Sequence, residues 1–409
     1  MKKPRFLELE GRSSGFFILL AILFAFIAAG TGAFIYMEHN GHWVTGMNNQ
    51  IVWGMPHVFA VFLIVAASGA LNVASISSVF NRKIYKPLAP LSAILAVSLL
   101  LGGLLILVLD LGRPERLIIA MTTYNPKSIF AWNILLYNGF FVIVLVYLWL
   151  MLERRFNKYS SIAGMFAFIW RLVLTTGTGS IFGFLVARSS FDSAILAPTF
   201  IVFSFAYGLA IFALIVMAAY TWTGRALGDA IVKRMRTLLG VFVAGSLFFV
   251  AIFHLTNLYF TKEHGFEKFI LDGDTYFTKL FWIGQFLIGG IIPLFLVFYK
   301  GCQARRSLVV ASILVILGGF AQMFVTIIGG QAYPLPIFPG KIVESTFYDG
   351  VINLYTPSLP EILLGLGGVA VAIFMVIFAM KNLRLIPESL ADEEIDPHYT
   401  PAAEAKSAA

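Results

Sequence analysis

Apolar residues run through the chain in ten stretches of about 20 or more, each parted from the next by a polar connection. A helix rising about 1.5 Å per residue needs that length to cross about 30 Å of hydrocarbon, so the pattern predicts ten membrane-spanning helices. They fall near 15–36, 53–79, 88–109, 129–152, 162–187, 197–221, 238–260, 280–299, 307–329 and 359–381. Glycine and proline inside them do not argue against helix, because lipid forces the backbone to satisfy its hydrogen bonds internally. The first stretch is too long for a signal peptide and lacks a small-residue cleavage site, so it is expected to remain as an anchor helix. The expected fold class is all-α, a polytopic transmembrane helix bundle over residues 1–381. Residues 382–409 are polar, acidic and Ala/Pro-rich, and are expected to form a disordered cytoplasmic tail.

Charge sets the orientation. Of the 29 Lys and Arg residues, 20 lie in the N-terminus, the even-numbered connections and the tail, 8 in the odd connections, and Arg171 inside a span. Both termini are therefore expected to be cytoplasmic, and the unbroken alternation supports a count of ten. Hydrophobic residues at 59% and charged residues at 12% exclude a soluble protein and make the lipid bilayer its surroundings. The net charge of +8 resides in these short topological clusters, so nucleic acid is not an expected partner. Cys302 is the single cysteine, which rules out an internal disulfide and a Cys-ligated iron–sulfur cluster. Any such redox centre must reside elsewhere.

The few ionisable groups inside the spans gather toward the outer face, and each is a functional-site candidate because insertion of a charge at mid-bilayer costs roughly 2.5–3.5 kcal/mol. His57, Ser68, Asn72 and Ser75 share an arc of about 60° on the second span. They make an inward polar stripe that could carry protons, with His57 as the entry point. Helix–helix glue is the structural alternative for the Ser and Asn residues. Asp110 and Arg113 close the third span in Asp110-Leu111-Gly112-Arg113-Pro114-Glu115-Arg116, where acid and base within one turn can pair. Tyr124, Asn125, Pro126 and Ser128 follow. Asn133 and Tyr137 then share a face at the start of the fourth span.

His254 lies in the outer third of the seventh span with Asn257 one turn beyond. With His57 it could supply two axial ligands to a haem, an alternative that a haem b subunit would exemplify. A secondary transporter is a second alternative, disfavoured because the ionisable groups lie off the midplane and no span looks interrupted at its centre. Arg171 is expected to snorkel to the cytoplasmic edge. Glu361 beside Pro360 reads as an interfacial helix start. The longest connections are all outer ones, near 37–52, 110–128, 261–279 and 330–358. The last carries the apolar, proline-stiffened run Gln331-Ala332-Tyr333-Pro334-Leu335-Pro336-Ile337-Phe338-Pro339-Gly340, suited to docking another protein.

The runs Trp53-Gly54-Met55-Pro56-His57-Val58-Phe59-Ala60, Ser68-Gly69-Ala70-Leu71-Asn72-Val73-Ala74-Ser75 and Asp110-Leu111-Gly112-Arg113-Pro114 resemble those of the NrfD/PsrC superfamily of quinone-interacting membrane subunits. Within it, Gly329-Gly330-Gln331-Ala332-Tyr333-Pro334-Leu335 and Pro357-Ser358-Leu359-Pro360-Glu361 resemble the ten-span HybB/DsrP branch, nearest to the DsrP type of the sulfite-reduction-associated Dsr complex, with the hydrogenase-2 type next. The resemblance covers nearly the whole chain except the tail. It implies two four-helix bundles plus two flanking helices, a parallel repeat to which Pro56 and Pro198 would correspond, and a bacterial inner-membrane location. It also implies a subunit without haem or cluster that binds menaquinone or ubiquinone as substrate near the outer surface. Electrons would pass to or from a periplasmic ferredoxin-like iron–sulfur subunit within a larger respiratory complex. A His and a Tyr contact the quinone in such relatives, and His57 and Tyr137 are the nearest matches here. The expected site is His57 and Asp110 as proton-exchanging groups, with Trp53, Arg113, Asn133, Tyr137 and His254 around the quinone and Ser68, Asn72 and Ser75 as a proton path. No metal ligands are expected.

Overall fold

Lipid leaves an apolar segment only the helix as a self-satisfied conformation, and each of the ten expected spans is helical in the computed structural model, which describes residues 4–80, 82–335, 350–396 and 399. The helices are α1 Ser14–Asn40, α2 Met55–Ser78, α3 Ile84–Leu109, α4 Ile129–Leu152 and α5 Asn157–Gly183, then α6 Leu196–Thr223, α7 Asp229–Tyr259, α8 Tyr276–Phe298, α9 Ala304–Ala332 and α10 Leu359–Asn382. α7 begins nine residues before its apolar stretch. Its first turns carry Lys233, Arg234 and Arg236, so the helix outlasts the hydrocarbon that hydropathy measures.

Packing closes two rings of four. α2, α3, α4 and α5 each contact the next, and α5 returns to α2; α6, α7, α8 and α9 do the same. The rings join where α2 and α5 meet α6 and α2 meets α9, while α10 lies along α2 and α3 and α1 packs on α10. This is an all-α architecture of two four-helix bundles with two flanking helices. Pro56 and Pro198 each sit in the first turn of the opening helix of a ring. At the α2–α6 crossing, Gly69 lies against the Ser204 carbonyl and Gly208 against the Ala70 amide, with no room for a Cβ on either. Such backbone-to-backbone contact is how membrane helices associate where apolar burial gives no net drive.

Several features depart from the sequence expectation. α2 is interrupted at Leu71, and Ser92 of α3 bridges the break, its Oγ accepting from the Ala74 amide at 3.1 Å and donating to the Ala70 carbonyl at 2.7 Å. α8 is π-helical over Leu280–Ile291 and α9 over Val325–Gly329. The break at Leu71 lies off the centre of its span, and the π-helical turns continue their helices without interruption.

The tail is not disordered over residues 383–396. Strand β1, Phe6–Leu7, pairs antiparallel with strand β2, Ile386–Pro387, which puts the two terminal segments on one face of the bundle. Leu385, Ile386, Leu390 and Ile395 are buried. Asp392 accepts from the Asp229 and Ala230 amides and so caps α7. Four apolar side chains cannot build a core, yet they suffice to dock on one that exists. Tail residues 397, 398 and 400–409 lie outside the described residues.

Candidate functional site

Antiparallel packing of α2 on α3 sets the start of one beside the end of the other, at the face opposite the termini. His57 stands in the first turn of α2, and Asp110 is the residue that ends α3. His57 Nδ1 lies 3.2 Å from Asp110 Oδ2, with the carboxylate 1% exposed and the imidazole 23%. Among the described residues neither carboxylate oxygen has a hydrogen-bond donor, and the imidazole stands at ion-pair distance without hydrogen-bond alignment. The part-exposed imidazole is the accessible member of the pair. Trp53 stacks on it with ring centroids 6.3 Å apart, and also meets Phe130, Phe182 and Phe191, which makes an aromatic wall.

The chain before α2 is held by residues that sequence reasoning did not assign to the site. Gln331 Oε1 accepts from the Val52 and Trp53 amides at 3.0 Å each, and its Nε2 donates to the Trp53 carbonyl. Arg188 donates to the Gln50 carbonyl at 2.7 Å and the Gln331 carbonyl at 3.0 Å, and burial lowers its pKa from the ordinary guanidinium range. Gln331 is 1% exposed, so the first residues of the run expected to dock a partner turn inward. Residues 336–340 of that run lie outside the described ones.

Glu361 opens α10 in a capping box with Ser358, as its position foretold, and it is fully buried. Its carboxylate accepts from the Gly46 amide at 2.8 Å, the Ser358 amide at 2.7 Å and the Tyr355 hydroxyl. The Tyr355 oxygen accepts from the Met55 amide at 2.8 Å, two residues before His57. Burial first, then the Glu361 charge, hold the Tyr355 phenol above its ordinary pKa, and Asp110 acts in the same direction. Tyr355 therefore stays a protonated donor.

Other expected members lie elsewhere. Arg113 is exposed and does not pair with Asp110, which faces inward to His57 after Gly112 turns the chain at φ 66°. Asn133 donates to the Gly177 carbonyl at 3.0 Å and Tyr137 pairs with Thr178 Oγ1 at 3.4 Å, so both are engaged in the α4–α5 seam. Ser68, Asn72 and Ser75 are buried together, but the stripe is not continuous. The stretch of α2 between His57 and Ser68, about 16 Å long, bears no polar side chain.

Ser68 instead joins a deeper cluster with Thr175, at 2.5 Å, and Arg171, whose Nη1 lies 3.4 Å from the Ser68 carbonyl. Arg171 does not snorkel. It is 2% exposed, with its guanidinium 4.9 Å from the Phe168 ring and 5.1 Å from the Phe205 ring, and these faces replace the water it would otherwise seek.

His254 belongs to the second ring. Its Nδ1 is 2.7 Å from Glu267 Oε2, and Asn257 donates to Glu267 Oε1 at 2.9 Å. Glu267 lies on the short helix His264–Leu271 and was not foreseen, since a charge in a connection looks ordinary in sequence. A cavity beside it is lined by Gln285, Gln322 and Thr326. His57 and His254 thus stand in different bundles, each against its own carboxylate, and do not face one another as a haem ligand pair. Among the described residues no three of His, Cys, Asp or Glu converge as metal ligands.

Comparison with known proteins agrees with this layout. Residues 43–334 match the family described as "Polysulphide reductase, NrfD", a range that takes in α2 through α9 and leaves out the flanking α1 and α10. The chain is similar to the Hdr-like menaquinol oxidoreductase integral membrane subunit of Archaeoglobus fulgidus, 29% identical over 96% of this chain and 99% of that one. It is also similar to a selenate reductase subunit of Mesobacillus selenatarsenatis, 25% identical over 86% of this chain and 89% of the relative.

Proposed function

The chain belongs to the polysulphide reductase NrfD family, and on that premise we propose that it is the membrane subunit of a quinone-linked oxidoreductase complex. The observation that carries the proposal is the His57–Asp110 pair, a buried carboxylate answered by a part-exposed imidazole at one end of a membrane bundle. A quinol entering from the lipid brings its headgroup hydroxyl to His57 beside the Trp53 wall. On oxidation it releases two electrons and two protons. His57 accepts the first proton as a general base, Asp110 stabilises the imidazolium that forms, and once His57 has released that proton to the exposed face it takes the second by the same route. The electrons pass to an iron–sulfur cluster in a partner docked on this face, since one cysteine cannot ligate a cluster here. Run backward, the same groups protonate a quinone. Arg113 sits at the exposed rim, and Asn133, Tyr137 and the Ser68–Arg171 cluster make their hydrogen bonds along the α4–α5 and α2–α5 seams.

Menaquinol is the favoured quinol, because the Archaeoglobus relative that aligns over almost the whole chain carries it in its name. The Lys and Arg bias supports a cytoplasmic terminal face and hence a partner on the outer face. The outer motifs of α9 and α10 support a sulfite-linked complex, with a membrane-bound hydrogenase as the alternative. A photoreactive quinone cross-linked to the assembled complex tests the site. Label is expected on peptides containing Trp53–His57 or Asp110, and label confined to the second bundle around His254 would overturn the assignment.

A further inference from the structure

Tyr355 and Glu361 lie beyond the family-matched residues 43–334, yet they reach the turn from which His57 projects. A helix start leaves backbone N–H groups without intrahelical partners. α2 has no side-chain cap of its own, and Pro56 in its first turn removes one donor. The Met55 amide is satisfied from elsewhere, by the Tyr355 hydroxyl. Because that hydroxyl donates to Glu361, its lone pairs are turned toward Met55, and Glu361 is itself fixed by the Gly46 and Ser358 amides. Gly54 permits the approach, since a Cβ there would run into Glu361 Oε1 and the Tyr355 hydroxyl. A fully buried carboxylate is an expensive way to cap a helix, and apolar packing would hold α10 at less cost.

We propose that Tyr355 and Glu361 are positioning residues for the quinol reaction: through them the flanking helix α10 sets where the His57 imidazole stands against Asp110. The proposal rests on the quinone assignment above, so its test must separate the two. Tyr355→Phe keeps the ring and deletes the hydroxyl, and Glu361→Gln keeps the shape and deletes the charge. Each is made in the native chain and in a His57→Ala chain, and quinol-dependent reduction of the partner's cluster is timed in the assembled complex. A double-mutant cycle isolates coupling that a general loss of stability would not produce.

Tyr355→Phe is expected to slow reduction about tenfold in the native background, through kcat more than KM, and less than twofold when His57 is already absent. Glu361→Gln is expected to act in the same direction. Equal slowing in both backgrounds, or none in the native one, overturns the positioning role. Should Tyr355→Phe fail to assemble, the Glu361→Gln cycle decides by the same criterion. A His57→Ala chain that turns over at the native rate rejects the quinone assignment itself, whereas a slow His57→Ala chain with additive Tyr355→Phe rejects the positioning role alone.

Discussion

Among the described residues four carboxylates are buried at the face opposite the termini, and each is answered differently: Asp110 by His57, Glu263 by Lys262, Glu267 by His254 and Asn257, Glu361 by Tyr355 and two amides. Removing one partner from such a set leaves the others desolvated and unpaired. Glu267→Ala is therefore expected to lower stability by about 1–3 kcal/mol, read as a fall in Tm of the detergent-solubilised protein, while leaving the rate of quinol oxidation per folded complex near native. His57 and Asp110 were legible in the sequence because each interrupts or ends an apolar run. Glu267 and Tyr355 were not. They lie in connections, where polar residues are unremarkable, and only folding shows that these residues are turned inward. Glu361 was half legible: the Ser-x-x-Glu box declares a helix start, but its partner Tyr355 lies outside the box and Gly46 comes from a distant connection.

At the scale of elements, hydropathy counted the helices correctly because ten stretches each match the bilayer's thickness. It could not show the break in α2. No glycine or proline stands at Leu71, and the hydroxyl that bridges the freed backbone is Ser92 on the next helix. The same blindness applies to contact between helices, where α2 and α6 meet through Gly69 and Gly208. Gly69→Ala must push α2 off the Ser204 carbonyl and is expected to cost about 1–3 kcal/mol, measurable as a lower Tm, with Gly208→Ala similar. At the terminal end of α7 the reverse holds, because its cap is supplied by Asp392. Asp392→Ala is expected to cost about 0.5–2 kcal/mol in the same assay.

Seen whole, the molecule is two closed rings side by side, with α10 and α1 outside and the tail strapped over the terminal face. The first ring carries the proposed reaction centre at the opposite face, and the rest of the chain positions it. That reading requires the terminal face to be cytoplasmic, and Cys302 offers a direct check, since it lies in the connection between α8 and α9 on that face. A membrane-impermeant maleimide is expected to label Cys302 in inverted vesicles and not in right-side-out ones. The most direct measurement is stopped-flow reduction of the partner's iron–sulfur cluster by menaquinol in the assembled complex, comparing the native chain with His57→Ala. A general base contributes about 100-fold or more, so a loss of at least that size is expected. A His57→Ala complex that reduces the cluster within twofold of the native rate would contradict the account.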